Sequence, residues 1–141
     1  MKTTITRQSI SSEAAYRAVG AAVAKGHELG TRMNAAVVDI GGNLVAFLRA
    51  DGAFLQSIGI ATDKATTAAG FGCASDALYG LIKDNAALRD GLALRPNTVL
   101  FGGGLPMVVD GEVVGGIGCS GGSEEQDTEC ARAGLAAIGL G

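Results

Sequence analysis

The chain is 141 residues long, carries a formal charge of −3, and contains 23 glycines but no tryptophan. This length predicts a single domain over residues 1–141, large enough to bury a core without a disulfide or a metal. The acidic balance with scattered basic residues excludes a nucleic-acid-binding protein, and no stretch is apolar enough to span a membrane.

The first predicted elements are a helix and a hairpin. The helix begins after Ser11-Ser12, either of which can act as its N-cap, and ends at Gly30. Two apolar runs, 34–40 and 44–49, flank a turn at Gly41–Asn43 and predict a β-hairpin. Because both runs are nearly continuously apolar, we expect both faces of the sheet to be covered there.

The middle and second half of the chain alternate in the same way. A helix is predicted from Phe54 to Phe71, and one or two short helices between Asp76 and Asp90. The Asp110-Gly111 pair between the runs 105–109 and 112–119 is a strong hairpin signal.

The last predicted helix runs from Ser123 to about Ile138 and begins with a capping box, Ser123 at the N-cap and Gln126 at N3. The resulting order, α-ββ-α-(α)-ββ-α, predicts an α+β domain with a largely antiparallel sheet between helices. The motif Gly116-x-Gly118-x-x-Gly121 matches the dinucleotide fingerprint, but no second strand with an acidic residue follows its helix. We therefore interpret these glycines as a strand-to-helix corner.

Two glycine-rich bends indicate where a small ligand would lie. One is Phe101–Pro106, before the second hairpin, and the other is Gly116–Gly122, before the last helix. Glycines let a ligand approach the main chain closely, so we expect a pocket lined partly by backbone. Glu124 and Glu125 lie in the first turn of that helix and act against anion binding at its N-terminus.

Three charged residues have both a functional and a structural interpretation. Asp127 is either a general acid or base facing the bend or a solvated helix residue. Lys64 lies near the apolar face of its helix and is either paired in a pocket or extended to the surface. Arg49 either binds a carboxylate or joins Asp51 in a loop contact.

The remaining nucleophilic and metal-binding residue types do not predict a catalytic or metal site. His27 is the only histidine and lies near the end of the first helix. It either complements the dipole of that helix or binds iron or haem. Cys119 is best interpreted as a small buried hydrophobic residue, since the sequence offers no second histidine to activate its thiol. Ser120 lacks the partners of a catalytic triad. No metal site is predicted.

The residues that carry a family likeness occur in order along nearly the whole chain. They are Val37–Val45, Arg49–Ala53, Asp63–Ala68, Phe101–Pro106 and Gly115–Asp127. These segments resemble the GlcG/HbpS-type family, also called haem-degrading or DUF336, which includes the C-terminal domain of PduO-type proteins. The resemblance implies a profilin-like fold with a central antiparallel sheet of about five strands flanked by helices. It also implies homo-oligomers, from dimers to octamers, and haem as one ligand of the family.

The chain departs from the family pattern at three positions. Asn43 stands where many members have His, Ala50 where Met is usual, and Cys119 where Val is usual. Loss of the hairpin histidine removes one metal or haem contact.

Two functions follow from the sequence and the resemblance together. The first is an oligomeric protein that binds haem or another planar ligand. Its ligand-binding residues would be Asp51, Phe71, Gly102, Gly103, Gly104, Pro106, Cys119, Ser120 and Gly121. The second is a cofactor-independent enzyme for proton transfer on a small carboxylated or ring-derived metabolite. In that case Asp127 is the acid or base, Lys64 and Arg49 orient the carboxylate, and glycine N–H groups stabilise an oxyanion. A pure assembly module with empty bends is a third alternative.

The expected partner is a small molecule, without nucleic acid or membrane, and no cofactor other than haem is implied. Three cysteines, an odd number without metal-ligand spacing, indicate a reducing compartment. The first residues lack the apolar run of a signal peptide, so we predict a cytoplasmic protein.

Overall fold

Nine elements make up the fold in the computed structural model, which describes Met1–Gly141. In chain order they are α1 (Ser12–Glu28), β1 (Asn34–Asp39), β2 (Leu44–Arg49), α2 (Gln56–Phe71), α3 (Ser75–Ile82), α4 (Ala86–Ala93), β3 (Gly104–Val109), β4 (Glu112–Ser120) and α5 (Glu124–Ala137). This order confirms the predicted α+β plan and resolves the region before the second hairpin into two short helices.

The sheet is fully antiparallel, with the strand order β2-β1-β4-β3. The expectation of about five strands is wrong, because the two hairpins supply four strands and no other segment joins the ladder. Ile10 donates one backbone hydrogen bond to Val114, and the residues before it form no strand.

Helices cover the two faces of the sheet with different side chains. The main core lies between the sheet and the pair α1 and α5, where Val37, Ile117 and Ala18 are fully buried. On the opposite face α2 packs against β1 and β4 through alanines such as Ala61 and Ala65. The alternation of strand side chains separates these two sets. None of the helices is long and apolar enough to cross a membrane.

Glycines in β4 determine how close α2 lies to the sheet. A Cβ at Gly116 would collide with the carbonyl oxygen of Ala65, and one at Gly118 with the carbonyl oxygen of Ala61. The helix backbone therefore rests directly on the strand.

The first hairpin corrects one expectation. β1 is buried on both faces, but β2 is an edge strand, and Leu44 and Leu48 are exposed. An apolar run therefore did not guarantee coverage: α1 packs against β2, whereas α2 packs against β1, β3 and β4.

The predicted caps are confirmed. Ser11 accepts a hydrogen bond from the backbone of Ala14, and Ser123 and Gln126 form the capping box of α5. The second helix begins at Gln56, two residues after the predicted start at Phe54.

Candidate functional site

The fold brings Lys64 of α2 and Asp127 of α5 together in the interior. The ammonium nitrogen Nζ lies 2.7 Å from Asp127 Oδ2, and the two side chains are 1% and 5% exposed. Lys64 also donates to the backbone oxygen of Cys119 at 2.9 Å. The Gly122 N–H donates to the other carboxylate oxygen, Oδ1, at 2.9 Å. The pair is therefore hydrogen-bonded on both sides.

The two glycine bends enclose this pair. A Cβ at Gly103 would lie 2.6 Å from Lys64 Nζ and 2.9 Å from Asp127 Cβ. Gly118 lies beneath the stem of Lys64, where a Cβ would be 2.9 Å from the lysine Cβ. Only glycine leaves room at both positions for the buried lysine, so the bends and the ion pair form one packed unit.

Further hydrogen bonds fix the first bend in place. The Gly102 N–H donates to Glu124 Oε1 at 2.7 Å, and the Gly104 N–H donates to Ser75 Oγ at 3.0 Å. The Ser75 hydroxyl donates to the Phe101 carbonyl at 2.6 Å. The bend is thus tied to the first turns of both α3 and α5.

Burial sets the electrostatics of the centre. Loss of water raises the pKa of the Asp127 carboxyl above its ordinary value, against the lowering by Lys64 and the bend N–H groups. Burial also raises the pKa of Cys119 well above its ordinary value, so this residue is a neutral thiol. The Phe101 ring lies 5.1 Å from Lys64 Nζ and shields the ammonium by a cation–π contact.

Other predicted site residues lie away from the pair. Arg49 is exposed and donates to the Ala53 carbonyl at 2.6 Å, so its loop contact is with Ala53 and not with Asp51. Asp51 is exposed before α2, and Phe71 ends that helix, about 10 Å along its axis from Lys64. Pro106 is half-buried in β3 opposite Gly116.

The structure adds buried polar residues that sequence reasoning missed. Asn34 is fully buried; its Nδ2 donates to Ser57 Oγ at 2.6 Å, and Ser57 donates to the Phe54 carbonyl at 2.9 Å. Asn34 Oδ1 is buried without any hydrogen-bond partner. Ser120 lies directly opposite Asn34 across the β1–β4 pair. The available signal was an asparagine at the start of an otherwise apolar strand.

Cavities lie around the pair and do not reach it. The largest, about 840 Å³, is a groove between α1 and β2. A hollow of about 630 Å³ lies at Gly121 and Gly122, and one of about 440 Å³ lies beside Phe101. Neither Lys64 nor Asp127 lines any of these spaces.

Metal ligands do not converge anywhere in the chain. No group of three or more His, Cys, Asp or Glu side chains is placed to hold an ion. His27 is exposed in the last turn of α1, where an imidazole complements the helix dipole. The three cysteines are free.

Comparison with known proteins gives consistent matches. The sequence model of a family described as "Haem degrading protein HbpS-like" matches residues 10–136. A Citrobacter freundii protein described as an uncharacterized 15.0 kDa protein in the dhaT-dhaS intergenic region is 36% identical over 129 residues, 90% of each chain. The corrinoid adenosyltransferase PduO of Salmonella typhimurium is 37% identical over 123 residues, which are 86% of this chain but 36% of PduO. A crystal structure titled as a complex of PduOC with haem is 34% identical, with a TM-score of 0.86 over 94% of this chain and 97% of that one.

Proposed function

This chain belongs to the HbpS-like family, and from that premise we propose that it is a haem-binding protein whose ligand lies in the groove between α1 and β2. The family likeness to a protein solved as a haem complex supports the choice of ligand. The single structural observation that carries the proposal is the size and apolar lining of this groove.

The groove has the character that a planar apolar ligand requires. It measures about 840 Å³, and eight of its eleven lining residues are hydrophobic. Small residues on α1 keep it open, since a Cβ at Gly20 would meet no atom within 4 Å. Val45 and Leu48 of β2 form the opposite wall. The exposed edge strand therefore has a use in this proposal as one side of the binding surface.

Two residues at the groove fit the polar parts of haem. Arg17 carries a positive charge that suits a propionate, and its guanidinium now pairs with Glu13 at 2.8 Å. Tyr16 presents a phenol, and the residue is 75% exposed. Tyrosine is one of the protein ligands that hold haem iron. When bound, the haem supplies the redox and ligand-binding chemistry of its iron. The chain's own part is to exclude water, orient the ring plane and neutralise the propionates.

The departure at Asn43 does not affect this groove. Asn43 Nδ2 donates to the Asp39 carboxylate in the hairpin turn, at 3.2 Å to each oxygen, and the residue does not line the cavity. We place the ligand in the groove and not between the glycine bends, because Lys64, Asp127 and the bends pack against one another. Acid–base catalysis by this pair stays a prediction of the sequence.

We also propose that the protein is a homo-oligomer located in the cytoplasm, as the family resemblance implies for its assembly. Exposed apolar side chains on the α3–α4 segment, among them Leu81, Leu88 and Leu94, favour a homo-oligomer that would cover them. Light scattering after gel filtration measures its size. Three free cysteines support a cytoplasmic location.

Titration with haemin tests the function. The wild type should give a saturable Soret band. Arg17→Gln should weaken binding about five- to tenfold, roughly the value of one charge-assisted contact. Tyr16→Phe should shift the band, because it removes the phenol from the iron. Tyr79→Phe, a second exposed tyrosine on α3, is the matched control and should leave both band and affinity unchanged.

A further inference from the structure

The residues before α1 form an arm that their own chain leaves uncovered. We call residues 1–9 the N-terminal arm; all of them are exposed, lie outside every helix and strand, and take part in no backbone hydrogen bond. The arm is anchored at its end, where Ser9 Oγ accepts a hydrogen bond from the Ile40 N–H at 3.1 Å. The next residue, Ile10, donates its N–H to the Val114 carbonyl at 2.9 Å.

The N-terminal arm combines basic charge with one large apolar side chain. Lys2 and Arg7 are its only charged side chains, and neither forms an ion pair. Ile5 is 74% exposed. The β-branched run Thr3–Thr6 favours an extended conformation, in which alternation puts Ile5 and Arg7 on one side and Lys2 on the other. One side of the arm therefore presents an apolar group and a guanidinium with Cα atoms about 7 Å apart.

Two neighbouring hollows beside α3 and α5 are complementary to that side. The apolar hollow, about 440 Å³, lies beside Phe101, and four of its seven lining residues are hydrophobic. The acidic hollow, about 340 Å³, is lined by the carboxylates of Asp76, Glu124 and Glu125 against the single guanidinium of Arg132. Because Glu124 lines both, the two hollows adjoin.

The charge of the two hollows favours a basic occupant. In the apolar hollow Arg89 pairs with Asp90 at 3.0 Å, so the remaining charge there is that of Glu124. None of the three carboxylates of the acidic hollow has an ion-pair partner. Glu124 Oε1 accepts from the Gly102 N–H, and Glu125 is exposed. Both hollows are thus net negative, opposite in sign to the arm.

The anchor of the arm and its own hollows lie toward opposite ends of the sheet. Ser9 is fixed beside Ile40, just after β1 ends, whereas the bend before α5 follows Ser120, which pairs with Asn34 at the start of β1. The ends of β1 are about 17 Å apart, while the Cα of Arg7 stays within about 7 Å of that of Ser9. This separation favours the hollows of a second copy as the place where the arm binds.

We propose that the N-terminal arm of one copy occupies the two hollows of another, with Ile5 in the apolar hollow and Arg7 at Glu124 and Glu125 in the acidic hollow. Two copies that exchange arms form a symmetric dimer in which each gives and receives one arm. The inference rests on the homo-oligomer proposed above and adds a specific contact to it. The apolar hollow is lined from α3 and α4, the segment whose leucines are exposed.

Charge reversal on the two sides tests the docking by sedimentation equilibrium at low salt. Arg7→Glu and Glu125→Arg should each weaken self-association at least about tenfold, because each brings like charges together. An equimolar mixture of the two variants should associate as strongly as wild type, because each arm then meets the opposite charge on the other variant. Lys2→Glu, the same change on the other side of the arm, is the matched control and should leave association unchanged.

The apolar contact has its own pair of variants. Ile5→Ser should weaken self-association at least about tenfold, since it removes a buried aliphatic side chain from each contact. Thr4→Ser, on the opposite side of the arm, should not. If Glu125→Arg fails to fold, the comparison of Arg7→Glu with Lys2→Glu decides, because both side chains are exposed and unpaired in a single copy.

Three results would overturn the docking while leaving the homo-oligomer intact: unchanged association in Arg7→Glu, an equal loss in Lys2→Glu, or a mixture no more associated than its two components. A wild type that stays monomeric at every concentration would overturn both proposals. Haem binding is measured separately, at the α1–β2 groove, which shares no lining residue with either hollow.

Discussion

Lys64 has three partners in a nearly dry environment: the Asp127 carboxylate, the Cys119 carbonyl and the Phe101 ring. Lys64→Met would leave the Asp127 charge buried without its counterion. We expect a loss of about 3–5 kcal/mol in the free energy of unfolding, measured by urea denaturation at neutral pH.

A double variant separates the charge effect from loss of packing. In Lys64→Met with Asp127→Asn the unpaired charge is gone, and the amide oxygen still accepts from Gly122. The double variant should be more stable than Lys64→Met alone. Equal or lower stability would show that the buried pair is not the reason for the loss.

Single residues also show which contacts could be predicted from the sequence. Lys64 and Asp127 were identified by type and position, but whether they paired depended on a contact across 63 residues of chain. Asn34 and Ser57 were missed because each is unremarkable locally, and their importance comes from full burial beside one another. Arg49 donates a hydrogen bond to the Ala53 carbonyl, and the carboxylate-binding role given to it stays a prediction.

The hairpin between β1 and β2 is an element whose stability should depend on pH. Backbone and side-chain donors of Asn43, with the N–H groups of Gly41 and Gly42, hold the pKa of Asp39 below its ordinary value of 3.8. A lowered folded-state pKa means that Asp39 stabilises the fold above 3.8 and that this contribution is lost as the pH falls through the lower folded value. Wild type should therefore be more stable than Asp39→Ala at neutral pH.

That difference should disappear on acidification to about pH 3 or below. Urea denaturation across this range measures it, with Asp51→Ala, an exposed carboxylate that accepts no hydrogen bond, as the matched control. A difference that grows as the pH falls would contradict the assignment.

Close packing of α2 on β4 gives a second prediction for the elements. Gly118→Ala would push a methyl group into the Ala61 carbonyl, so we expect a loss of at least about 1–3 kcal/mol in the free energy of unfolding. Gly59→Ala, on α2 but facing open space, should raise the free energy of unfolding by up to about 1 kcal/mol. Thermal and urea unfolding measure both, and equal behaviour would contradict direct helix-on-strand contact.

Elements with local signals were predicted well, and those that depend on the rest of the sheet were not. The capping box of α5 and the Asp110-Gly111 turn need only neighbours in sequence, and both formed. The predicted order of elements contains the four strands that form, and the count of about five came from the family resemblance. The exposure of β2 was missed because it is decided by which strands the helices cover.

For the whole molecule, the main cavity lies between α1 and the edge strand β2. α1 packs against β2, and its Gly20 and Ala21 leave open space beside that strand. The predicted ligand position lies between the glycine bends, where Lys64 and Asp127 pack against each other. Ligand binding there stays a prediction. The order of elements could identify an α+β domain, but the open space depends on how the helices pack on the sheet.

Haemin titration of a groove-filling variant tests the central claim most directly. Gly20→Leu would put a side chain into the open space of α1 while improving helix propensity, and Gly59→Leu makes the same change on the outer side of α2. We predict a saturable Soret band for wild type and Gly59→Leu, and its loss in a folded Gly20→Leu. Binding by Gly20→Leu equal to that of wild type, or no saturable band in the wild type, would contradict the assignment of the groove as a haem site.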